Sequence, residues 1–309
     1  METIGNSTEF DFNVNVNENQ TGNTQQAELQ SPSVSTSPQS PVRISPQIPV
    51  DNAPFIVLCG PPSSGKSMVL KSLATYLCHS GLGYTIAANT TLLNTAKYQE
   101  DCAYFDSIIG ERNTRMPNTV DYLMADIIDN GGNVVAHFLE APGEDFFSLN
   151  NPSQEPNMEF KGYLENVAQT SFDKPRKVIY IILLDLDSAT SFRNNPSLRE
   201  KYEKKMTKLY NRFVLHHPSR VILLYNKVDI PRDGLLANSN GCSNPKALIE
   251  DAKHNYPNLF FKKKFLFWDV ENYSFLPYCT GSYPEDKGYI APGPAYPAAL
   301  WKEITKQLW

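Results

Sequence analysis

The chain has 309 residues, of which 41% are hydrophobic, and its formal net charge at pH 7 is −5. This length supports one large folded domain or two smaller ones. The negative charge argues against nucleic acid or anionic lipid as a partner, and no apolar run approaches the roughly 20 residues of a membrane-spanning helix. The five cysteines are scattered without C-x-x-C spacing, which favours reduced thiols in the cytoplasm.

Residues 1–50 differ in composition from the rest of the chain. They are rich in Asn, Gln, Ser, Thr and Pro, and they contain four Ser-Pro pairs between Ser31 and Pro46. Because few large apolar groups offset the entropy cost of ordering, we expect a disordered, low-complexity tail that serves as a spacer or as a docking or phosphorylation segment. The folded domain is therefore expected to span residues 51–309.

Beyond the tail, apolar runs alternate with helical patterns. The run FIVLC, residues 55–59, predicts a buried strand. Apolar positions at helical spacing through residues 67–79 predict a helix that ends at Gly81. A long polar region rich in Thr and Asn follows over residues 84–118. Two strand candidates flanking residues 130–132, Asn-Gly-Gly, then predict a hairpin.

The second half of the chain continues the alternation. Its strand candidates lie within residues 177–187, 220–229 and 275–282. Its helix candidates lie within residues 158–172, 198–216 and 297–309, and a further short helix is expected to begin at Asn244. Strands that feed helices in this order predict a three-layer α/β sandwich with a mostly parallel sheet. The hairpin is expected to add one antiparallel strand at the edge of that sheet.

The segment GPPSSGKS, residues 60–67, joins the first predicted strand to the first predicted helix with the G-x-x-x-x-G-K-S spacing of a phosphate-binding loop. Its glycines let the backbone wrap around phosphates, and helix N-termini attract anions. Lys66 is expected to reach the β- and γ-phosphates, and Ser67 to ligate Mg2+. The residues predicted to contact nucleotide here are Gly60, Ser63, Ser64, Gly65, Lys66, Ser67 and Met68.

The segment Asn226-Lys227-Val228-Asp229 ends a predicted strand, where ligands bind in open α/β folds. A carboxylate such as that of Asp229 can accept two parallel hydrogen bonds from the ring N–H and the exocyclic amine of guanine, a pair that adenine lacks. Lys227 can lay its stem along the base plane, and Asn226 can brace the loop and donate to N7. Together with the phosphate loop, this segment predicts GTP or GDP as the ligand.

The order of these motifs resembles that of the Ras-like, translation-factor-class P-loop GTPases. It runs G-x-x-x-x-G-K-S at 60–67, a Thr-bearing loop, a hairpin, E-x-x-G at 140–143 and N-K-x-D at 226–229. The resemblance covers roughly residues 51–309 and assigns no subfamily. It implies Mg2+-dependent hydrolysis of GTP to GDP and phosphate, with a conformational switch read by a protein effector or activator.

The resemblance also implies a threonine that closes over Mg2+ and the γ-phosphate. Thr119 directly precedes the first strand of the predicted hairpin and is the leading candidate for that role, both catalytic and metal-ligating. Thr114 is the second candidate, and Thr90 and Thr91 also stay open. Their spacing from other motifs does not choose among them.

Two glutamates depart from the family pattern. Glu140 replaces the aspartate that holds Mg2+ through water, while Gly143 is suited to give its amide to the γ-phosphate. Glu144 stands where many members have a glutamine that orients the attacking water. An ionised carboxylate there is repelled by the γ-phosphate, by roughly 4 kcal/mol at about 4 Å for an effective dielectric near 20, so intrinsic hydrolysis should be slow.

The segment PYCTGS, residues 277–282, falls where the family has a Ser-Ala-Lys loop that contacts guanine O6, so Thr280 and Gly281 are further nucleotide-binding candidates. Three hypotheses follow. The first is a slow GTPase switch. The second, favoured by Glu140 and Glu144, is a non-hydrolysing guanine-nucleotide-binding module or scaffold. The third, an ATP-using kinase or ATPase, is disfavoured by residues 226–229.

Overall fold

The computed structural model describes residues 46–114, 116, 122–143, 163–164, 167, 176–185, 195–215, 220–229, 237–238, 241–265, 267–281 and 289–309. The strands are β1 Phe55–Cys59, β2 Tyr84–Ala88, β3 Leu123–Asp129, β4 Val134–Glu140, β5 Val178–Asp185, β6 Arg220–Asn226, β7 Ala237–Asn238, β8 Gly241–Cys242, β9 Lys262–Phe265, β10 Trp268–Glu271 and β11 Ser274–Pro277. The helices are α1 Lys66–Ser80, α2 Ala96–Ile108, α3 Pro196–Phe213, α4 Pro245–Asn255 and α5 Ala295–Leu308, with a 3-10 turn at Pro257–Leu259. Within these ranges, no helix combines the length and the apolar character that crossing a bilayer requires.

Seven strands form one sheet in the order β11-β6-β5-β1-β4-β3-β2. The five strands from β11 to β4 run parallel, and β3 runs antiparallel to its neighbours β4 and β2. Every residue of β1 is buried. Because successive side chains of a strand point to opposite faces, both faces of the sheet are covered at its centre. The predicted three-layer α/β sandwich with a mostly parallel sheet is therefore confirmed.

The hairpin supplies the antiparallel strand as predicted, but that strand does not lie at the edge. The antiparallel strand is β3, and β2 pairs with the outer side of β3. Tyr84 lies opposite Asp129 and Ala88 lies opposite Ala125. Both β2 and α2 lie in the stretch predicted to be a polar region. Their sequence signals are weak because only Ile86 of the edge strand β2 is buried and most of α2 is exposed or half-buried.

Residues 46–50, assigned to the tail from composition, contact the folded domain. The Gln47 amide donates to the Leu92 carbonyl at 2.8 Å, and the Arg176 guanidinium donates to the Pro49 carbonyl at 3.0 Å. Ile48 packs against the core. The boundary predicted between residues 50 and 51 therefore lies inside a stretch that contacts the domain, while residues 1–45 lie outside the described residues.

A buried charged cluster lies at the end of β1 away from the phosphate loop. His137 is 1% exposed, with Nδ1 at 2.7 Å from Asp126 Oδ1 and Nε2 at 2.8 Å from Asp51 Oδ1. Burial lowers the pKa of His137, but hydrogen bonds to the two carboxylates outweigh it, and the net pKa is raised. Burial raises the pKa of Asp51, but its bonds, led by that from His137, lower it overall. The His137 ring thus joins β3, β4 and the segment before β1.

We expect this cluster to make stability depend on pH. Because the pKa of His137 is raised in the folded state, this residue contributes its full stabilisation when the pH is below 6.5, its ordinary pKa. The contribution is lost as the pH rises through the folded-state pKa. Because the pKa of Asp51 is lowered in the folded state, this residue contributes stability when the pH is above 3.8, its ordinary pKa. That contribution is lost as the pH falls through the folded-state pKa. The free energy of unfolding should therefore be greatest in the mildly acidic range between these limits.

Urea unfolding from pH 5 to 9 measures the effect. The variant His137→Gln should lose about 2 kcal/mol at pH 6, the size of a lost charged hydrogen bond, and should show a flatter pH profile. His254→Gln, at an exposed histidine, is the matched control and should keep the wild-type profile. A His137→Gln profile parallel to that of the wild type would contradict the assignment.

Candidate nucleotide-binding site

Those predicted site residues that the structure describes meet at the carboxyl edge of the parallel strands. β1 runs into residues 60–67, β4 ends at Glu140 and β6 ends at Asn226. β11 leads into residues 278–281. These residues lie at the same edge because Pro277, the last residue of β11, pairs with Tyr225 near the end of β6. This edge is where open α/β sheets bind ligands. The strand order therefore brings four segments that are distant in sequence to one place.

The phosphate loop ends at Gly65, which begins α1 in the left-handed conformation, at φ 92°. Helices α2 and α3 are capped by the side chains of Thr95 and Asn195, whereas α1 has no side-chain cap. A Cβ added at Gly65 would lie 2.7 Å from Asn226 Nδ2 and 3.3 Å from Thr280 Cγ2. Glycine thus permits both the turn and the close approach of the neighbouring segments, and leaves room for an anion at the helix N-terminus.

The loop wraps around the ammonium group of Lys66. This residue is 6% exposed, and its Nζ donates to the carbonyl oxygens of Gly60 at 3.1 Å and Pro61 at 3.0 Å. Ser63 is left-handed at φ 60°, and Ser64 is fully buried with an Oγ that has no hydrogen-bond partner among the described residues. A buried hydroxyl without a partner beside a buried ammonium fits an anionic ligand. Met68 is buried in the first turn of α1.

Ser67 and Glu140 lie in direct contact, although 73 positions separate them. Ser67 Oγ donates to Glu140 Oε1, while Glu140 Oε2 is buried and has no hydrogen-bond partner among the described residues. Burial raises the pKa of Glu140 to about 7, although the Lys66 charge and the Ser67 hydrogen bond lower it. The additional methylene of glutamate does not keep the carboxylate from reaching the serine.

These two oxygens fit Mg2+. The cation prefers oxygen ligands, and a buried carboxylate oxygen without a partner favours a positive charge beside it. Across the described parts of the chain, no group of three or more His, Cys, Asp and Glu side chains could hold a metal. A site with one carboxylate and one hydroxyl suits an ion that takes its other ligands from phosphates and water.

Gly143 packs directly on the phosphate loop. It is buried, and an added Cβ would lie 2.3 Å from the Pro62 nitrogen and 2.6 Å from the Pro61 carbonyl carbon. Because these atoms belong to the backbone, no side-chain rotation could relieve the clash. The E-x-x-G segment can therefore approach the loop only with glycine at this position.

The segment of residues 226–229 is braced on two sides. Asn226 is fully buried and its Nδ2 donates to the Ser64 carbonyl at 2.8 Å, while its Oδ1 has no hydrogen-bond partner among the described residues. Lys227 is left-handed at φ 61°, an uncommon conformation outside glycine that surrounding contacts must hold. The Val228 amide supplies one such contact by donating to the Tyr278 carbonyl at 3.1 Å.

Residues 278–281 complete this side of the site. The half-buried Asp229 lies beside the Cys279 side chain. Burial raises the pKa of the Cys279 thiol, and the Asp229 carboxylate raises it further. Tyr289 donates through its hydroxyl to the Thr280 carbonyl at 2.9 Å, and a Cβ on Gly281 would lie 2.5 Å from the Tyr289 ring. Sequence reasoning missed Cys279 and Tyr289, since neither belongs to a local motif.

Two predicted catalytic residues, Thr119 and Glu144, lie outside the described residues. Among the alternative switch threonines, Thr114 Oγ1 donates to Glu111 Oε2 at 2.6 Å. Thr91 lies in the turn after β2, where its Oγ1 donates to a neighbouring side chain at 2.7 Å. The choice of switch threonine therefore stays a prediction.

No protein-family model and no curated protein matches the chain. Among solved structures, it is similar to the chloroplast translocon components atToc33 and psToc159, at 14% identity over 83% of each chain and a TM-score of 0.43. It is also similar to the signal recognition particle receptor complex SRb-GTP/SRX from Chaetomium thermophilum, at 14% identity over 82% of this chain and 98% of that one, with a TM-score of 0.42. A third is the GTP-bound Ski7 GTPase-like domain of S. cerevisiae, at 15% identity over 83% of this chain and 51% of that one, with a TM-score of 0.40.

Proposed function

We propose that this chain binds guanine nucleotides with Mg2+ and acts as a molecular switch that hydrolyses GTP slowly. The contact that carries the proposal is the hydrogen bond from Asn226 Nδ2 to the Ser64 carbonyl. It ties the base-reading segment to the phosphate loop, so that a nucleotide held by residues 60–67 would present its base to Asp229. A protein effector or activator would read the switch, and the scattered cysteines favour a cytoplasmic location.

The proposed roles follow from what each group offers. Lys66 would exchange its two carbonyl acceptors for β- and γ-phosphate oxygens. Ser67 and Glu140 would hold Mg2+, which supplies positive charge against the phosphates when bound. Gly143 would bring its amide to the γ-phosphate, and Thr119 would close over the site.

The first test is base selectivity. GTP should outcompete ATP for the wild-type protein, since only guanine offers the N–H pair that the Asp229 carboxylate can accept. Asp229→Asn should shift the preference toward xanthine nucleotides, because an amide can donate to the oxygen that replaces the guanine amine. Competition titrations with GTP, XTP and ATP measure both effects. Equal affinities for ATP and GTP in the wild type would refute the base-reading role of residues 226–229.

A second candidate function is a non-hydrolysing guanine-nucleotide module. The bond between Ser67 and Glu140 favours it, because the hydroxyl and the carboxylate that would hold Mg2+ are bonded to each other instead. The charge at Glu144 favours it as well, since it is repelled by a γ-phosphate. Under this alternative the chain would hold GTP or GDP as a structural or sensory ligand.

Substitution of Glu144 separates the two candidates. Glu144→Gln removes the charge and keeps the reach of the side chain, so we expect GTP hydrolysis to rise several-fold; relief of about 1.4 kcal/mol in the transition state gives tenfold. Single-turnover phosphate release at matched Mg2+ and pH measures the rate. A marked drop would instead make Glu144 a working base, and equal near-zero rates would favour the non-hydrolysing module.

A further inference from the structure

A cavity of about 510 Å3 lies alongside α1. One wall is the face of α1 that carries Lys71, another is the loop at Arg112 and Asn113, and the third is the segment from Tyr289 to Pro297. This volume lies within the roughly 300–1,000 Å3 of small-molecule sites. None of the nucleotide-binding residues predicted from the sequence lines it, so the cavity is separate from the phosphate loop.

The inner wall carries a buried lysine side chain. Lys71 is 2% exposed, and its Nζ donates to the Glu111 carbonyl at 2.5 Å and lies 6.0 Å from the centroid of the Tyr289 ring. Burial lowers the pKa of Lys71, whereas the Glu111 charge raises it. An ammonium group carries three donors, and the Glu111 carbonyl occupies one of them, so within the described part of the chain a further acceptor at the cavity wall can be bound.

The rest of the described lining combines basic, uncharged polar and apolar residues. Arg112 and His79 add two basic side chains at the exposed rim, and no aspartate or glutamate occurs among the described lining residues. The remaining surface includes the apolar and aromatic residues Tyr76, Ala291, Pro292, Pro294 and Pro297. Basic groups on one side and apolar surface on the other suit a ligand with an anionic group and an organic body.

We propose that this cavity binds a small organic phosphate, whose phosphate group pairs with Lys71 and Arg112 and whose apolar body packs against the proline-rich segment. A phosphate monoester carries nearly two negative charges at neutral pH, which matches several basic groups better than a single carboxylate does. The cavity is also far larger than a bare phosphate ion, so part of its volume suits the organic body.

Calorimetric titration with phenyl phosphate tests the proposal, with inorganic phosphate and benzyl alcohol as partial probes. Phenyl phosphate should bind the wild type more tightly than either partial probe. Lys71→Met, which keeps the length of the side chain, should weaken phenyl phosphate binding about tenfold or more. Arg112→Gln should weaken it several-fold, and this exposed position keeps the test available if Lys71→Met does not fold.

Lys66→Ala is the matched control, because the phosphate loop could itself bind a phosphate group. Binding of phenyl phosphate should persist in Lys66→Ala and in protein saturated with GDP. Loss of binding in Lys66→Ala would place the probe in the phosphate loop and overturn the proposal. The proposal would also be overturned if Arg112→Gln and a folded Lys71→Met both bound phenyl phosphate as tightly as the wild type. The same holds if benzyl alcohol bound the wild type as tightly as phenyl phosphate does, or if phenyl phosphate showed no binding up to its solubility limit.

Discussion

Lys66→Ala should lower the affinity for GTP by about 100-fold or more, which corresponds to about 2.7 kcal/mol. The ammonium group is buried and held by the Gly60 and Pro61 carbonyls at 3.0–3.1 Å, so it is already positioned in the loop before a ligand arrives. Each hydrogen bond that it would make to a phosphate oxygen involves two charged groups and is worth about 1.5–3 kcal/mol. Alanine removes all of them at once.

Isothermal titration with GTP, with and without Mg2+, measures the loss. Lys263→Ala, at an exposed lysine of β9, is the matched control and should leave the affinity unchanged. Ser67→Ala should weaken binding less than Lys66→Ala and should reduce its dependence on Mg2+, because the variant lacks one proposed ligand of the ion. Unchanged affinity in both Lys66→Ala and Ser67→Ala would refute the nucleotide site.

Gly143→Ala should destabilise the protein by about 1–3 kcal/mol, the usual cost of overpacking. The new methyl carbon would lie 2.3 Å from the Pro62 nitrogen, so the E-x-x-G segment or the phosphate loop must move. Because either movement separates Gly143 from the loop that Lys66 occupies, we also expect at least a tenfold loss of GTP affinity.

Gly110→Ala provides a matched control, since a Cβ there meets no atom within 4 Å. That variant should retain wild-type stability and nucleotide affinity. Urea unfolding and GTP titration of the two glycine variants side by side make the comparison. If Gly143→Ala behaved like Gly110→Ala, the close packing of residues 140–143 on the phosphate loop would be wrong.

The fold class and the local motifs could be predicted because their signals are contained in short segments. β1 and residues 178–184 of β5 are buried on both faces and therefore appear as continuous apolar runs, FIVLC and VIYIILL. The glycine that begins α1 and the asparagine that caps α4 follow from backbone requirements of one or two residues. By contrast, β2 is a half-exposed edge strand, and α2 buries few residues, so neither showed a periodic pattern strong enough to predict it.

By itself, the sequence determined the α/β fold class, and it predicted a phosphate loop at residues 60–67 and a base-reading segment at 226–229. The tertiary structure alone decided which residues complete the site: Glu140 beside Ser67, Gly143 against Pro62, and Cys279 beside Asp229. It also placed Lys71 in a cavity wall and His137 between two carboxylates. The physical reason is that a motif specifies its own backbone, whereas contacts between distant segments depend on strand order and register, which arise only when the whole sheet packs.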